Sequence, residues 1–524
     1  MTTPLPTRDG PLVSVLVPTF NRPRYLAEAL ESLVRQTYGR WEAFVVNDGG
    51  SPVADVVAAL NDPRLVLIDR RENRGKAASL NEALRRAQGK YVAYLDDDDL
   101  YYPQHLGRLV DVLEAEPAGG CQAAYTDLYK THCRILPDGR RQVLGKIVTI
   151  SRDFDRFLLG HFNHVLHVSL MHRRDLLDRT GSYDEGLRVM IDWDMTRRLS
   201  FFTDFRHVPE VTGEFHGPVG ECDRISYRMR LDKADYVRQV MTIRSARPPK
   251  PWPKMPDLSM ILLADSADAA TAMLRQIWIW TFMPYEVYVP LSPDQMAGFR
   301  SGVPHVVPVP VAPGASRAAR LEAALARAQG DYAAVLSPSG VTVESLWIEN
   351  ALHAAVQHKA GDVAFALAGA SGDWPAVVVR RDALVRSRRG RESLALRPAL
   401  AAADITIREP LPAELPFQFD FLIQQAEAMQ AEGAHLRAAT VYQHLAAQGE
   451  NRLWMRERAA ASLFKAGGHR EALDLCRDLN RCRPTAETLL LEAKILRRSG
   501  DADGAAALLE RAETILTGKE NPWN

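Results

Sequence analysis

The sequence predicts two α/β domains followed by an all-α tail, and three observations carry that expectation. Between Pro11 and about Arg206, short β-rich runs alternate with helical patterns. After residue 257 much of that text recurs in weaker form, and from about Phe417 the chain turns rich in Ala, Leu and Arg, with small residues at a fixed interval. A length of 524 residues suits three or four domains. Lys plus Arg and Asp plus Glu both total 65, so the basic footprint of a nucleic-acid binder is absent. Hydrophobic and charged shares of 46% and 25% are those of a globular protein and exclude global disorder.

Taken in order, VSVLVPTF, RYLAEALESLVRQ, WEAFVVND, KAASLNEALRRAQ and YVAYLDDDD read as strand, helix, strand, helix, strand. Such alternation means right-handed βαβ units and a mainly parallel sheet. A basic helical pattern at Ile225 to Ile243 is followed by ARPPKPWPKMPD (Ala246 to Asp257), whose prolines suit neither a helix nor a central strand, so a linker is expected there. Beyond it, LEAALARAQGDYAAVLSPSG answers LNEALRRAQGKYVAYLDDDD, with Gly330 lying 241 positions after Gly89. LSMILLADSA answers VSVLVPTFNR at an offset of 245, and VVVRRDAL around Arg381 answers SLMHRRDLL around Arg174 at 207, so the stretch from Gly330 to Arg381 is 34 residues shorter than that from Gly89 to Arg174. Three matches in one order imply that the same fold occurs twice.

In the tail, Gly433, Gly467 and Gly500 are 34 and 33 apart, as are Ala438, Ala472 and Ala505, with Pro484 closing the middle unit. That interval is the period of tetratricopeptide repeats, helix-turn-helix units whose small residues let paired helices approach. The expected boundaries are therefore 1–245, a linker at 246–257, 258–412, and a helical-repeat tail at 413–524. Cys121, Cys133, Cys222, Cys476 and Cys482 form no CxxC pair, which suggests neither a disulfide framework nor a thiolate zinc site and fits a reducing cytoplasm. No leader pattern and no run of about 18 apolar residues is read in the chain, so any contact with the inner face of a membrane is expected to be peripheral.

The chemistry concentrates in YLDDDDLYYP, where Asp96 to Asp99 directly follow an apolar strand. Ligands of open α/β sheets bind beyond the carboxyl ends of strands. Four adjacent carboxylates repel one another unless a cation neutralises them, and hard oxygen donors select Mg²⁺ or Mn²⁺. The competing reading is a solvated acidic turn. Asp48, after the second strand, can accept hydrogen bonds from a uracil N–H or a ribose hydroxyl, or can merely form the turn of VVNDGGS. Asn73, Arg74 and Lys76 open the next helix, where a cation can lie against a diphosphate.

Together VSVLVPTFNRPRYL, VVNDGGS, ENRGKAASLNEAL, YLDDDDLYYP and GSYDEGLRVMIDWDM resemble a family 2 glycosyltransferase of the GT-A fold, over about residues 11 to 220. The resemblance implies a metal-dependent, inverting enzyme of hexosyltransferase type. It would move a sugar from a nucleoside diphosphate sugar, UDP-linked by expectation, to a hydroxyl of a glycan or protein. Asp96 and Asp98 would form the D-x-D element, Asp98 on the metal and Asp96 on metal or ribose; Asp97 and Asp99 repeat the spacing and leave the register open. Pro18, Thr19, Phe20, Asn21, Arg22, Asp48, Asn73, Arg74, Lys76, Asp96 and Asp97 would hold the donor. Asp192 would be the catalytic base, with Ile191 where the family commonly has Glu, and Asp194 is the competing assignment. His216 would complete the metal site. Trp193, His164 and His167 are candidate acceptor contacts, each weighed against a core role.

The second copy has Ser337, Pro338, Ser339 and Gly340 in place of the four acids, Asp265, Ser266 and Ala267 in place of Phe-Asn-Arg, and nothing like IDWD after Arg381. It is therefore expected to be a degenerate GT-A-like domain without this metal site, serving as scaffold, acceptor platform or dimer interface. A nucleotidyltransferase is the rival enzyme, but VPTFNRPRYL is not the Gly-rich basic loop it needs. A silent sugar-nucleotide-binding scaffold is the non-enzyme rival, against which the retained Asp96, Asp98 and Asp192 argue. The repeats would hold a protein partner, a peptide acceptor or a second copy, in polysaccharide biosynthesis or protein glycosylation.

Overall fold

The computed structural model describes residues 10–517 apart from 149, 162, 219–232, 339–340, 342, 344–345, 359–361, 368–371, 410–422, 449–451, 483 and several positions between 424 and 434. Cys222, Ser339, Gly340 and the first half of the Ile225 to Ile243 pattern thus lie outside the described residues, as does the boundary at 412; the described helix there is Lys233–Ser245.

The first sheet contains β1 (Val13–Thr19), β2 (Trp41–Asn47), β3 (Leu65–Asp69), β4 (Tyr91–Tyr94), β5 (Leu100–Tyr101), β6 (Ala123–Ile135), β7 (Arg141–Val148), β8 (Leu170–Arg173) and β9 (Phe205–Pro218). Its order is β3-β2-β1-β4-β8-β6-β9-β5, with β7 paired to β6. Every residue of β1 is buried, as a parallel strand covered on both faces requires. Helices Pro23–Val34 and Lys76–Arg86 lie in the crossovers, and β1 to β4 pair in parallel. The mainly parallel expectation holds only for this half. Beyond β4 the sheet is mixed: β8 is antiparallel to both β4 and β6, while β9 runs parallel to β6. Thr19 sits opposite Asn47 and Leu16 opposite Tyr94, so the carboxyl ends of β1, β2 and β4 open on one rim.

The second sheet contains β10 (Leu258–Leu262), β11 (Tyr285–Leu291), β12 (Val306–Pro310), β13 (Tyr332–Leu336), β14 (Val363–Ala366), β15 (Val377–Arg380) and β16 (Thr406–Arg408), in the order β12-β11-β10-β13-β15-β14-β16. That order and the strand directions repeat β3-β2-β1-β4-β8-β6-β9. A three-residue clasp repeats as well. Ser14 Oγ accepts from Gly89 N (2.8 Å) while Arg174 Nε donates to Gly89 O (3.0 Å); Ser259 Oγ accepts from Gly330 N (2.9 Å) while Arg381 Nε donates to Gly330 O (2.8 Å). Both glycines are forced by close approach, since a Cβ on Gly89 would stand 2.6 Å from Ser14 N and one on Gly330 2.7 Å from Asp257 O. The shortening of the second copy falls where the first carries the long β6–β7 hairpin.

The two sheets are not tethered loosely. One apolar cluster runs from Leu16, Phe157 and Trp193 to Met283, Trp347 and Leu352, and Phe157 meets the His353 ring edge-on at 4.9 Å. The Pro-rich segment packs into it: Met255 is buried, Trp252 lies edge-on to Phe201 at 5.0 Å, and Lys254 N donates to Phe201 O. After it, helices His435–Gln448, Arg452–Lys465, His469–Cys482, Ala486–Ser499 and Ala502–Leu516 stack consecutively, and the last also touches β7. Gly433, Gly467 and Gly500 all have φ between 79° and 91°, a left-handed turn that favours glycine, while Ala438, Ala472 and Ala505 are buried between helices. Among the described residues no helix is long and apolar enough to cross a membrane.

Candidate active site

Leu95 N still bonds Leu16 O at 3.1 Å, and beyond it Asp96 to Asp99 turn on themselves, closed by Asp99 N to Asp96 O at 3.1 Å. Carboxylate oxygens of Asp96, Asp98 and Asp99 gather within 4.8 Å of one another. An octahedral Mg²⁺ or Mn²⁺ with bonds of about 2.1 Å sets opposite oxygens about 4.2 Å apart, so these three need close only slightly around a cation. The cluster therefore fits a divalent metal in donor chemistry and in spacing.

Three cations from distant parts of the chain surround it. Lys76 Nζ donates to Asp96 at 2.7 Å; Arg22 Nη1 donates to Asp97 at 3.2 Å and Asp98 at 3.0 Å; Arg141 Nη1 donates to the Asp98 carbonyl at 2.6 Å. Lys76 has its pKa raised, because Asp96, with Asp192 and Asp98 behind it, outweighs the burial that would lower it. Asp97 turns away from the other three acids. It is buried, accepts from Thr19 Oγ1 at 2.8 Å, and is pushed up to about 6 by burial and by Asp98 despite Arg22. Asp97 thus anchors the turn to β1, and Asp99 occupies the third corner of the cluster.

His216 stands beside the cluster but is not a member of it. Its backbone N–H donates to Asp99 Oδ1 at 3.0 Å, and burial together with Arg141 lowers its imidazole to about 4. Of the expected ligands Asp96, Asp98 and His216, the first two gather with Asp99, and His216 meets that group through its backbone.

On the donor side, Pro18 and Thr19 end β1 in the buried sheet, Phe20 is exposed, and Asn21 has φ +57° and caps the turn of VVNDGGS by accepting from Ser51 N at 2.8 Å. Asp48 sits at the expected strand end, yet both its oxygens face protein: Oδ1 accepts from Arg70 Nη1 and Arg74 N, each at 3.0 Å, and Oδ2 from Gly75 N at 2.7 Å. As placed, it shapes the loop leading into helix Lys76–Arg86. Asn73 and Arg74 are exposed on that loop, and the Arg74 side chain reaches Glu185 at 3.2 Å.

Asp192 opens helix Ile191–Leu199, preceded by Met190 in the left-handed conformation at φ +55°. Gln239 holds this approach by accepting from Arg188 N and Val189 N at 2.8 and 3.0 Å. Burial raises the Asp192 carboxyl, opposed by the positive charge of Lys76, while Asp96 adds to the rise. Asp192 is thus within electrostatic reach of Lys76 and of Asp96 in the acidic turn. Asp194 is committed elsewhere, buried in a two-pronged pair with Arg198 at 3.0 and 2.6 Å. Breaking such a pair from one side costs about 3–5 kcal/mol, so its role is structural.

The acceptor candidates are all buried. Trp193 is buried with its indole donating to Leu159 O at 2.7 Å. His167 stacks on Tyr94 at 3.9 Å, bonds the Tyr183 hydroxyl at 2.8 Å, and is driven by burial to about 3. His164 is buried and accepts from Asp155 N. His164 and His167 precede β8, which lies inside the sheet between β4 and β6, whereas Trp193 lies in the first turn of helix Ile191–Leu199. Arg141 and Asn163 were not legible as site residues: one reaches the turn from a hairpin 43 positions away, and the other is a single Asn in a His-rich stretch.

The acidic turn thus stands at the carboxyl rim of the parallel half-sheet, where open α/β sheets bind ligands. Residues 14–171 match the model described as "Glycosyl transferase family 2", and this part of the chain is a family 2 glycosyltransferase domain. The protein CgeD of Bacillus subtilis (strain 168) is 30% identical over 218 residues, 38% of this chain and 49% of CgeD. The glycosyltransferase YwdF of the same organism is 27% identical over 197 residues, 38% of this chain and 71% of YwdF. The chain spans half or less of the length of CgeD and of several other curated relatives it matches. Among solved structures, the mannosyltransferase PcManGT from Pyrobaculum calidifontis, in complex with GDP-Man and Mn²⁺, is 22% identical over 47% of this chain and 69% of its own, with a TM-score of 0.34.

Proposed function

We propose that the first domain is a metal-dependent, inverting glycosyltransferase that moves a sugar from a nucleoside diphosphate donor to an acceptor hydroxyl. The observation that carries this reading is the three-acid cluster at the carboxyl rim of the parallel strands, bonded to Lys76, with Asp192 in electrostatic reach of both. Asp96, Asp98 and Asp99 would hold a divalent cation, which when bound neutralises charge on the two phosphates of the donor. Arg22 and Lys76 bring further positive charge to the same place. Phe20, exposed at the end of β1, offers an aromatic face to the base, and Thr19 and Asn21 shape that loop. Asp192 takes the proton of the acceptor hydroxyl as its oxygen attacks the anomeric carbon opposite the diphosphate, so the new bond has inverted configuration. A carboxylate with a raised pKa is the stronger base for that step. A panel of UDP-, GDP- and TDP-sugars incubated with the full chain should release nucleoside diphosphate in Mn²⁺ and stop releasing it in EDTA; no release from any donor with metal present would count against the reading.

We read the second sheet as an inactive copy of the first. Arg320, 241 positions after Ser79, lays its guanidinium on the carbonyls of Ala264 and Pro290, filling the ground at the strand ends where the first domain keeps its donor loop. We read the helical tail as a tetratricopeptide-like platform for a protein acceptor, a partner or a second copy. Removal of residues 435–517 should leave metal-supported donor hydrolysis within about threefold, since every group assigned to donor and metal lies before residue 220, while oligomeric state by light scattering or transfer to a protein acceptor changes. An aggregated product would mean that the tail, which touches β7, belongs to the structural core.

A further inference from the structure

Asp192 is held by a side chain that no motif marks. Asn163 Nδ2 donates to Asp192 Oδ2 at 3.1 Å. The amide is oriented from its other side, since Asn163 Oδ1 accepts from Val165 N at 3.4 Å. A flipped amide would lose that bond and set oxygen against carboxylate oxygen. The segment that carries Asn163 is in turn fastened to the helix that carries Asp192. Trp193, next to Asp192, donates its indole N–H to Leu159 O at 2.7 Å, and at the far end Arg156 Nε donates to Ser200 O at 2.8 Å. Helices Arg156–His161 and Ile191–Leu199 are thus tied at both ends, and the distance from Asn163 to Asp192 is fixed by the frame.

We infer that Asn163 is a positioning residue: its amide clamps Oδ2 of Asp192, keeps the carboxylate ionised, and leaves Oδ1 as the oxygen presented to the acceptor. The inference rests on the reading of Asp192 as the base. A carboxylate oxygen that receives a hydrogen bond is stabilised in its charged form. The other charged and titratable groups facing Asp192 are Lys76 from its own helix, Asp96 from the acidic turn, and Tyr183 from the loop ahead of the base. Lys76 favours the charged form and Asp96 opposes it; the backbone N–H groups of Trp193 and of Asp192 itself also favour it, and the amide of Asn163 adds a neutral side-chain donor from a different segment.

The test is a carboxyl titration of the full chain labelled with [γ-¹³C]aspartate, the Asp192 resonance being identified by its loss in Asp192→Asn. Asn163→Ala should raise the Asp192 midpoint by about half to one pH unit. Asn163→Asp, which sets a second carboxylate against the first, should raise it further. Thermal melts confirm that each variant is folded, and two variants of opposite polarity guard against the loss of either. An Asp192 midpoint unchanged in both folded variants would overturn the clamp. Hydrolysis of UDP-N-acetylglucosamine and GDP-mannose in Mn²⁺ is measured in parallel. A shifted midpoint in a chain that hydrolyses no donor sustains the clamp and sinks the glycosyl-transfer reading, whereas an unshifted midpoint in an active chain does the reverse.

Discussion

Asp192→Asn should bind donor and metal as the unaltered chain does and lose transfer by about 10² to 10⁴-fold, the scale of a general base. The substitution keeps the shape of the side chain and removes only its capacity to accept a proton. Its partners make it a clean test: Asp192 is no member of the three-acid cluster, so calorimetric donor and Mn²⁺ affinities have no reason to change. Because burial raises the Asp192 carboxyl, the rate of the unaltered chain should fall as pH drops through that raised value, and the acidic limb should vanish in the variant. Asp194→Asn, two positions on, should do the opposite: it strips the partner from buried Arg198 and lowers the melting temperature, with hydrolysis per folded molecule preserved. Lost donor binding in Asp192→Asn would reassign it to the donor site.

How much of this was legible beforehand divides along a physical line. The strand ends and the acidic turn follow from local pattern, because β1, β2 and β4 are buried apolar runs whose terminators are read directly. Asp96, Asp98 and Asp192 therefore sit where the motifs put them. Orientation within the turn is a different matter. Whether Asp97 or Asp99 joins the cluster depends on which of them Thr19 and the His216 backbone can reach, and those residues come from 78 and 117 positions away. His164, His167 and Trp193 were open between acceptor and core roles for a related reason. Polar tips and aromatic bodies look alike in a sequence whether they line a cleft or satisfy a core, and here Tyr94, Tyr183, Asp155 and Leu159 satisfy them. Asp48, open between a ligand acceptor and a turn former, receives three N–H donors from residues 70 to 75, which local pattern could not place. The likeness of the two sheets was legible because Ser14, Gly89 and Arg174 form a backbone clasp that Ser259, Gly330 and Arg381 repeat, and a glycine demanded by close approach stays readable where the residues around it differ.

Asp98→Ala should leave the fold intact and reduce metal-supported donor hydrolysis by at least about 10²-fold, the scale of losing preorganised charge at a reacting phosphate. The turn lies at a strand end rather than in a core, and its backbone is held independently by the bond from Arg141 to the Asp98 carbonyl and by the closing bond from Asp99 N to Asp96 O. Removing one of four like charges also relieves repulsion, so the melting temperature should hold or rise while Mn²⁺ affinity by calorimetry falls. Asp97→Ala separates charge from geometry. It removes the same charge, but Asp97 faces Thr19 and Arg22 rather than the cluster, so metal should still bind and the loss should appear in stability, where a buried hydroxyl is left unpartnered. If Asp98→Ala bound Mn²⁺ and hydrolysed donor at full rate while Asp97→Ala failed at both, the metal register would be Asp97 with Asp99, and the turn would have to rotate by one residue when it takes up the cation.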